Sequence, residues 1–264
     1  MQVLKRINLI SLDFISAKRI DKVCDVIIET VKNKNVSAGR IPLLFTPNVD
    51  IIVKMNENKN SDLKEFLSKA EFILPDGQPI VWYSKFLGVS LDKRLTGSDI
   101  FPYLWKSINE NNLPALFLTP NDVVSDYFMN NSKTTTCITL PFFKEDDNEA
   151  IENIARDCIS TIKKENIRII IMGLSFPKED RLALTIYNDL KQLYDPIDMP
   201  YICLLGASME FYLNLKKRAN KFMQSVGLEW FYRFCTEPKR LFRRYFVDST
   251  SFLSIIKNDY KTRA

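Results

Sequence analysis

Asp76 is the first residue of this sequence that could carry chemistry. It stands between Pro75 and Gly77 at the end of a short apolar run, so the proline ends the strand and the glycine permits a sharp turn. A carboxylate held in such a turn could act as a general base on a hydroxyl group. Taken alone, the local sequence favours a simpler role, in which the aspartate caps the next helix.

Two other polar clusters also follow apolar runs. Thr46 and Asn48 come after the run Ile41–Phe45, where they could hydrogen-bond a ligand or cap the helix that starts there. Residues 173–178 end at Lys178 and could form a loop that receives phosphate at a helix N-terminus. This second signal is weak, because the sequence contains neither GxGxxG nor GxxxxGK[ST].

A basic and aromatic segment occupies residues 227–245, with the sequence GLEWFYRFCTEPKRLFRRY. Residues 214–264 hold 12 Lys/Arg and 4 Asp/Glu, although the net charge of the whole chain is only +5. Fixed positive charge beside aromatic surface suits a partner that is both anionic and apolar, such as a phosphate-bearing lipid at a bilayer surface. The alternative is an amphipathic helix packed on its own domain with a solvated basic face. We expect no nucleic-acid partner, since no recognition motif accompanies the charge.

Composition excludes several classes of site. The chain has no histidine, so Ser–His and Cys–His nucleophiles, imidazole proton transfer and His-ligated zinc are excluded. The five cysteines are scattered and form no CxxC pair, which is typical of a reduced cytosolic protein. No apolar run reaches the length of a membrane span, and charges within residues 1–14 argue against a signal peptide.

Strand and helix patterns alternate along the first 213 residues. The predicted strands are 3–4, 7–11, 41–45, 71–75, 114–118, 135–140, 168–173 and 201–205, and the predicted helices are 17–34, 48–58, 61–69, 79–87, 98–111, 121–130, 147–165 and 178–194. Ser98 or Asp99 is the expected cap of the helix that ends near residue 111. We therefore predict an α/β domain over 1–213, a mostly parallel sheet with helices on both faces, and a basic helical appendage over 214–264. Ligands of such sheets bind beyond the carboxyl ends of the strands.

Several motifs together resemble the WecG/TagA/CpsF family of bacterial glycosyltransferases. They are Thr46-x-Asn48, Pro75-Asp76-Gly77, Thr96-Gly97-x-Asp99, the segment 173–178, Arg218-Ala219 and, above all, the segment 227–245. The resemblance covers residues 40–246. It implies a Rossmann-like fold and transfer of a sugar, N-acetylmannosamine or a related hexose, from a UDP donor to a polyprenyl-diphosphate-linked saccharide. It also implies an inverting reaction that needs no metal or other cofactor.

The resemblance assigns roles to individual residues. Asp76 is the implied base, with Thr46 beside it, and the arginines of the appendage are implied to contact a diphosphate. The implied substrate-binding residues are Asn48, Gly77, Arg94, Asp99, Lys178, Glu179, Glu210, Arg233, Arg240 and Arg243. Glu179 and Glu210 depart from the family pattern, which usually has Gln and Asp at these positions. An extra carboxylate beside a diphosphate would be repulsive unless it is paired or faces a hydroxyl.

The sequence thus predicts a peripheral enzyme on the cytoplasmic face of the bacterial membrane, working in cell-surface polysaccharide or teichoic acid biosynthesis. Its predicted partners are the UDP-sugar, the lipid-linked saccharide and the membrane surface, with homo-oligomer formation left open. The alternative is a non-catalytic membrane-surface binding or scaffold protein that keeps the fold.

Overall fold

The computed structural model describes residues 4–195, 198–216 and 248–263. Its strands are β1 Lys5–Leu9, β2 Leu12–Ser16, β3 Ile41–Phe45, β4 Ala70–Ile73, β5 Ala115–Thr119, β6 Thr135–Thr139, β7 Ile169–Met172 and β8 Tyr201–Leu204. They form one eight-stranded sheet in the order β1-β2-β4-β3-β8-β7-β5-β6. The β1–β2 pair is antiparallel, and the strands from β2 to β6 in that order pair in parallel. The predicted mostly parallel α/β fold is confirmed.

Helices cover both faces of this sheet. They are α1 Ile20–Asn33, α2 Val49–Met55, α3 Ser61–Ser68, α4 Gln78–Phe86, α5 Gly97–Glu110, α6 Asp122–Asn130, α7 Asn148–Glu165, α8 Lys178–Lys191, α9 Ser208–Tyr212 and α10 Asp248–Arg263, with a 3-10 turn at Asn58–Asn60. The core on the first face is built with α2, α3, α4, α7, α8 and α10. The core on the second face is built with α1, α5, α6 and α9.

Strand β3 shows how the sequence divides these two cores. All five of its residues are buried, as expected for a strand covered on both faces. Leu43 and Phe45 enter the first core and Leu44 enters the second, because successive side chains of a strand point to opposite faces. Because both faces of this central strand are buried, its sequence is an uninterrupted apolar run.

Two local predictions differ from the structure. The N-terminal strands lie at Lys5–Leu9 and Leu12–Ser16, because Ile10 and Ser11 form the turn between them with φ of 55° and 60°. Turns of this kind normally use Asn or Gly, so Ile-Ser gives no turn signal in the sequence. Helix α5 is capped by neither Ser98 nor Asp99. Its cap is Thr96, whose side chain accepts a hydrogen bond from the Asp99 N–H at 3.0 Å.

Helix α10 packs against the first face of the domain. Its Phe252 is buried in that core, and its Asp259 accepts hydrogen bonds from the Ile10 N–H and the Tyr83 hydroxyl. This helix falls within the predicted appendage, but the boundary at residue 213 stays a prediction, since residues 217–247 lie outside the described part. No helix in the described ranges is long and apolar enough to cross a bilayer.

Candidate active site

A crevice is expected where neighbouring parallel strands send the chain to opposite faces of a sheet. Strands β3 and β8 are hydrogen-bonded neighbours. The chain leaves β3 for α2 on the first face and leaves β8 for α9 on the second. The loops after these two strands therefore form the centre of the candidate site.

Main-chain hydrogen bonds hold the Asp76 turn in this crevice. The Asp76 N–H donates to the Pro47 carbonyl oxygen at 3.1 Å, and the Leu95 N–H donates to the Pro75 carbonyl oxygen at 3.0 Å. The turn after β4 is thus fixed between the loop after β3 and the segment that leads into α5. Asp76 is half-buried. Helix α4 has Gly77 as its N-cap residue, so Asp76 lies one residue before the cap position. The alternative role, in which the Asp76 side chain caps the helix, stays a prediction.

Thr46 joins β3 to β8 beneath the N-terminus of α5. Its hydroxyl is buried and donates to the Leu204 carbonyl oxygen at 3.1 Å. A Cβ atom added to Gly97 would lie 3.2 Å from Thr46 Oγ1, 3.0 Å from Ser208 Oγ and 3.1 Å from the Leu205 carbonyl oxygen. Only a glycine lets α5 approach the two loops this closely.

Asn48 caps a helix, which is one of the two roles that its position in the sequence predicted. Its side chain caps α2 by accepting a hydrogen bond from the Ile51 N–H at 3.2 Å. The residue is half-buried. Capping fixes the orientation of this amide beside the Asp76 turn.

Arg94 and Asp99 lie on one cavity at the start of α5. It has a volume of about 300 Å³ and is lined by Ile20, Lys93, Arg94, Ser98, Asp99, Pro102 and Tyr103. This volume is at the lower end of the range of small-molecule sites. Its lining combines charged and hydroxyl-bearing side chains with apolar ones, so it could contact both polar and apolar groups of a small molecule.

Glu179 is buried and contacts the ends of two loops. Its Oε2 accepts a hydrogen bond from the Leu174 N–H at 3.2 Å, and the Gly206 N–H also donates to the carboxylate. Burial raises the pKa of Glu179 well above its ordinary value, the charge of Asp180 raises it further, and the two N–H donors act in the opposite direction. The side chain that was predicted to bind substrate thus connects the loops after β7 and β8.

Asp180 is buried next to Glu179, with an exposed fraction of 1%. Its Oδ2 has no hydrogen-bond partner among the described residues. Burial raises the pKa of this carboxyl to about 7, against the effect of its own N–H and of Arg181. Two adjacent acids are therefore held in an environment that favours their neutral forms.

Lys178 is directed towards the loop after β6. Its Nζ donates to the Phe143 carbonyl oxygen at 2.5 Å and lies 4.5 Å from the centre of the Phe142 ring. To reach a diphosphate in the crevice, the ammonium group would have to leave this carbonyl. Its predicted role in substrate binding stays a prediction.

Comparison with known proteins places the chain in a family. The family described as "Glycosyl transferase WecG/TagA/CpsF family" matches residues 7–264, nearly the whole chain. The chain belongs to the WecG/TagA/CpsF glycosyltransferases. The resemblance found in its motifs is confirmed, and so is the prediction of a glycosyltransferase over a non-catalytic scaffold.

Two Bacillus proteins are similar to this WecG/TagA/CpsF chain. Both are named N-acetylglucosaminyldiphosphoundecaprenol N-acetyl-beta-D-mannosaminyltransferase. The protein of Bacillus subtilis (strain 168) is 24% identical over 202 residues, which cover 76% of this chain and 74% of the relative. The protein of Bacillus spizizenii (strain ATCC 23059 / NRRL B-14472 / W23) is 25% identical over 187 residues, which cover 69% and 67%.

Other predicted site residues of this glycosyltransferase are dispersed. Glu210 lies on α9, where its Oε2 forms an ion pair with Lys216 Nζ at 2.6 Å. Arg233, Arg240 and Arg243 lie outside the described residues. Gly97 and Ser208 were not among the predicted site residues, although both contribute to the crevice. The dipeptide Thr96-Gly97 at a helix start was the available signal for Gly97, whereas no local pattern distinguishes Ser208.

Proposed function

We propose that this glycosyltransferase moves N-acetylmannosamine, or a related hexose, from a UDP donor to a polyprenyl-diphosphate-linked saccharide, with inversion and without a metal ion. The names of the two Bacillus relatives support the sugar and the lipid-linked acceptor. The UDP donor and the stereochemistry are inferences from the family resemblance and from the chemistry of the site. The product belongs to cell-surface polysaccharide or teichoic acid synthesis.

The placement of Asp76 is the observation that carries this proposal. Its turn is hydrogen-bonded through the main chain to the loop of Thr46 and to the segment before α5, so the backbone of Asp76 is held at the carboxyl ends of the strands. Arg94 and Asp99 line a cavity at the start of α5, and Leu95, the residue after Arg94, is hydrogen-bonded to Pro75. A single base with a polar cavity beside it is the minimum that an inverting displacement requires.

The proposed reaction is one displacement at the anomeric carbon. Asp76 takes the proton of the acceptor hydroxyl as the oxygen forms its bond to that carbon. The bond from the anomeric carbon to the diphosphate oxygen breaks on the opposite side, and UDP leaves with the electron pair. No covalent sugar–enzyme intermediate forms, because the acceptor oxygen attacks directly.

Positive charge must offset the negative charge that develops on the departing UDP. We assign this role to Arg233, Arg240 and Arg243, with Lys178 contributing if it leaves the Phe143 carbonyl. Asn48, Gly77 and Glu210 complete the proposed substrate-binding set, and Glu179 acts on the loops that surround it. The acceptor is embedded in lipid, so the enzyme would work at the inner face of the cell membrane.

An assay with purified protein tests the proposal. The protein is incubated with a panel of UDP-sugars and a short-chain lipid diphosphate that carries N-acetylglucosamine, with EDTA in a parallel series. We expect transfer from UDP-N-acetylmannosamine, release of UDP, a product of inverted anomeric configuration by NMR, and equal rates with EDTA. Retention of configuration would exclude the single displacement, and loss of activity in EDTA would exclude metal independence.

A further inference from the structure

We propose that α4 and α10 together present a docking surface for an anionic lipid bilayer. This α4–α10 face consists of Trp82, Lys85 and Phe86 on α4 and of Leu253, Lys257 and Tyr260 on α10. It lies on the folded domain, and none of its residues belongs to the basic segment 227–245 of the sequence. The inference rests on the proposed function in one respect, since that function supplies a reason for the enzyme to bind a membrane.

The residues of the α4–α10 face form one continuous surface. Trp82, Lys85 and Phe86 have the i, i+3, i+4 spacing that places side chains on one side of a helix. Leu253, Lys257 and Tyr260 share a side of α10 for the same reason. The rings of Phe86 and Tyr260 join the two stripes, with their centres 5.8 Å apart.

Hydrogen bonds hold the two helices in this arrangement. The Tyr83 hydroxyl on α4 donates to Asp259 Oδ2 on α10 at 2.7 Å. Asp259 Oδ1 accepts from the Ile10 N–H at 3.0 Å, which ties α10 to the turn between β1 and β2. Phe252 anchors the other side of α10 in the core. The exposed stripes are therefore the outer sides of helices whose inner sides are already packed.

Large apolar side chains on this face are exposed to solvent. The exposed fractions are 54% for Trp82, 73% for Phe86, 64% for Leu253 and 49% for Tyr260. Burying such surface is favourable, and aromatic side chains are enriched where proteins meet the interface of a bilayer. The partner of this face must therefore offer apolar surface.

Charge shows which kind of apolar partner fits. Lys85, Lys257 and Lys261 are exposed on the two helices, and α4 contains no acidic residue. Asp259 is already bonded to Tyr83, Ile10 and Arg263. A second copy paired through this face about a twofold axis would bring lysines of both copies together. A bilayer with anionic head groups offers apolar depth and negative charge at once.

Such docking would place the candidate active site at the membrane surface. Helix α4 starts at Gln78, two residues after Asp76, and Trp82 lies only about 6 Å further along the helix. A protein resting on the outer sides of α4 and α10 would therefore hold Asp76 near the head groups. The diphosphate and the acceptor sugar of a polyprenyl lipid are found at that depth.

Fluorescence of Trp82 tests the surface directly. The chain has three tryptophans, so the Trp105→Phe, Trp230→Phe variant reports on Trp82 alone. We expect a blue shift, and quenching by brominated lipid, on addition of vesicles that contain phosphatidylglycerol. If the protein sediments with these vesicles while the emission of Trp82 stays unchanged, the proposed face is wrong.

Paired variants separate this inference from the proposed function. Trp82→Ser with Phe86→Ser should lower partitioning to anionic vesicles about tenfold. The control pair is Val123→Ser with Met129→Ser on α6, at exposed positions of the second face, and it should leave vesicle partitioning unchanged. If the first pair instead dissociates a dimer in sedimentation and leaves vesicle binding intact, the face is an interface between copies and the proposal is overturned.

Activity is then measured with two acceptors. The Trp82, Phe86 variant should keep the wild-type rate with a water-soluble short-chain acceptor and lose about tenfold with a long-chain acceptor in vesicles. If the variant and the wild-type protein had equal rates with the acceptor in vesicles, the proposed docking surface would be wrong and the proposed function would be unaffected. Absence of transfer to either acceptor by the wild-type protein would overturn the proposed function, whatever the vesicle binding shows.

Discussion

The two ends of the crevice use polar residues in opposite ways. At the β3–β4 end, main-chain hydrogen bonds hold the loops together, through the Asp76 N–H and the Leu95 N–H. At the β7–β6 end, ionisable side chains hold the loops together, since Glu179 accepts hydrogen bonds from the N–H groups of two loops and Lys178 donates one to the Phe143 carbonyl oxygen. The first arrangement fixes the backbone that carries the Asp76 carboxylate through main-chain hydrogen bonds.

This difference shows why position in the fold does not settle the role of a residue. Asp76 and Glu179 both follow parallel strands, and both face the same edge of the sheet. One is half-buried on a turn fixed by its backbone, and the other is buried between loops that it connects. We therefore expect substitutions at the β3–β4 end to change turnover and those at the β7–β6 end to change stability.

Asp76→Asn should have the largest effect on turnover. Asparagine keeps the size and the main-chain bonds of the turn but cannot accept the proton of the acceptor hydroxyl, so kcat should fall by about 10²–10⁴. The thermal midpoint should shift little, and stabilisation by UDP should persist in a thermal-shift assay. Wild-type turnover by this variant would remove Asp76 from the mechanism.

Glu179→Ala should be the most destabilising change of the comparison. It removes the acceptor of the Leu174 and Gly206 N–H groups, at a cost of about 1–3 kcal/mol in the free energy of unfolding. Glu179→Gln is the matched control, because it keeps one acceptor oxygen and should lie between alanine and wild type. Urea unfolding followed by circular dichroism measures both. An alanine variant as stable as wild type, with a raised KM for the donor, would indicate a substrate ligand instead.

Asp180→Asn should change how stability depends on pH. Burial raises the pKa of Asp180 to about 7 in the folded protein, above its ordinary value of 3.8, so the folded state binds the proton more tightly than the unfolded state does. The free energy of unfolding should therefore fall as pH rises from about 4 to 7. The asparagine variant does not lose stability in this way. At pH 8 its free energy of unfolding should be higher than that of wild type by on the order of 1–3 kcal/mol.

Unfolding at pH 5 and pH 8 tests this prediction. Glu179 titrates in the same direction, so Asp180→Asn should remove only part of the pH dependence. The critical observation is whether the substitution raises or lowers the free energy of unfolding at pH 8. A variant that is less stable than wild type at pH 8 and equally stable at pH 5 would contradict a buried carboxyl that favours its neutral form.

The fold could be predicted from the sequence, because burial on both faces of a parallel sheet leaves a strong pattern. The run Ile41–Phe45 is an example, and its predicted bounds agree with β3. The turn Ile10-Ser11 could not be predicted, since its left-handed backbone is imposed by pairing across the hairpin and not by the residue types. Tertiary contacts override local preference at such positions.

The candidate site could be predicted only in part. Thr46 and Asp76 each follow a predicted strand, which is why the sequence grouped them, and a main-chain hydrogen bond joins their loops. The start of α5 follows a helix, so no strand end indicated its place beside them. The roles of Lys178 and Glu179 depend on where each side chain points. The sequence shows which residues can carry charge, but it does not show how their side chains are oriented. A lysine beside a glycine-containing loop suggests phosphate binding, whereas its contacts here are a carbonyl and two aromatic rings.

Lys178→Met should have the smallest effect and is the sharpest test of the β7–β6 end. Methionine keeps the apolar stem against Phe142 and Phe143 but removes the donor to the Phe143 carbonyl, so stability should fall by about 0.5–1.5 kcal/mol. If Lys178 only fastens these loops, KM for the UDP-sugar should stay within about threefold of wild type. If it binds the diphosphate, losing a charge-assisted hydrogen bond should raise KM at least about tenfold. Steady-state kinetics and thermal unfolding together distinguish these two roles of Lys178. Loss of a loop contact lowers the unfolding midpoint, whereas loss of a substrate contact raises KM.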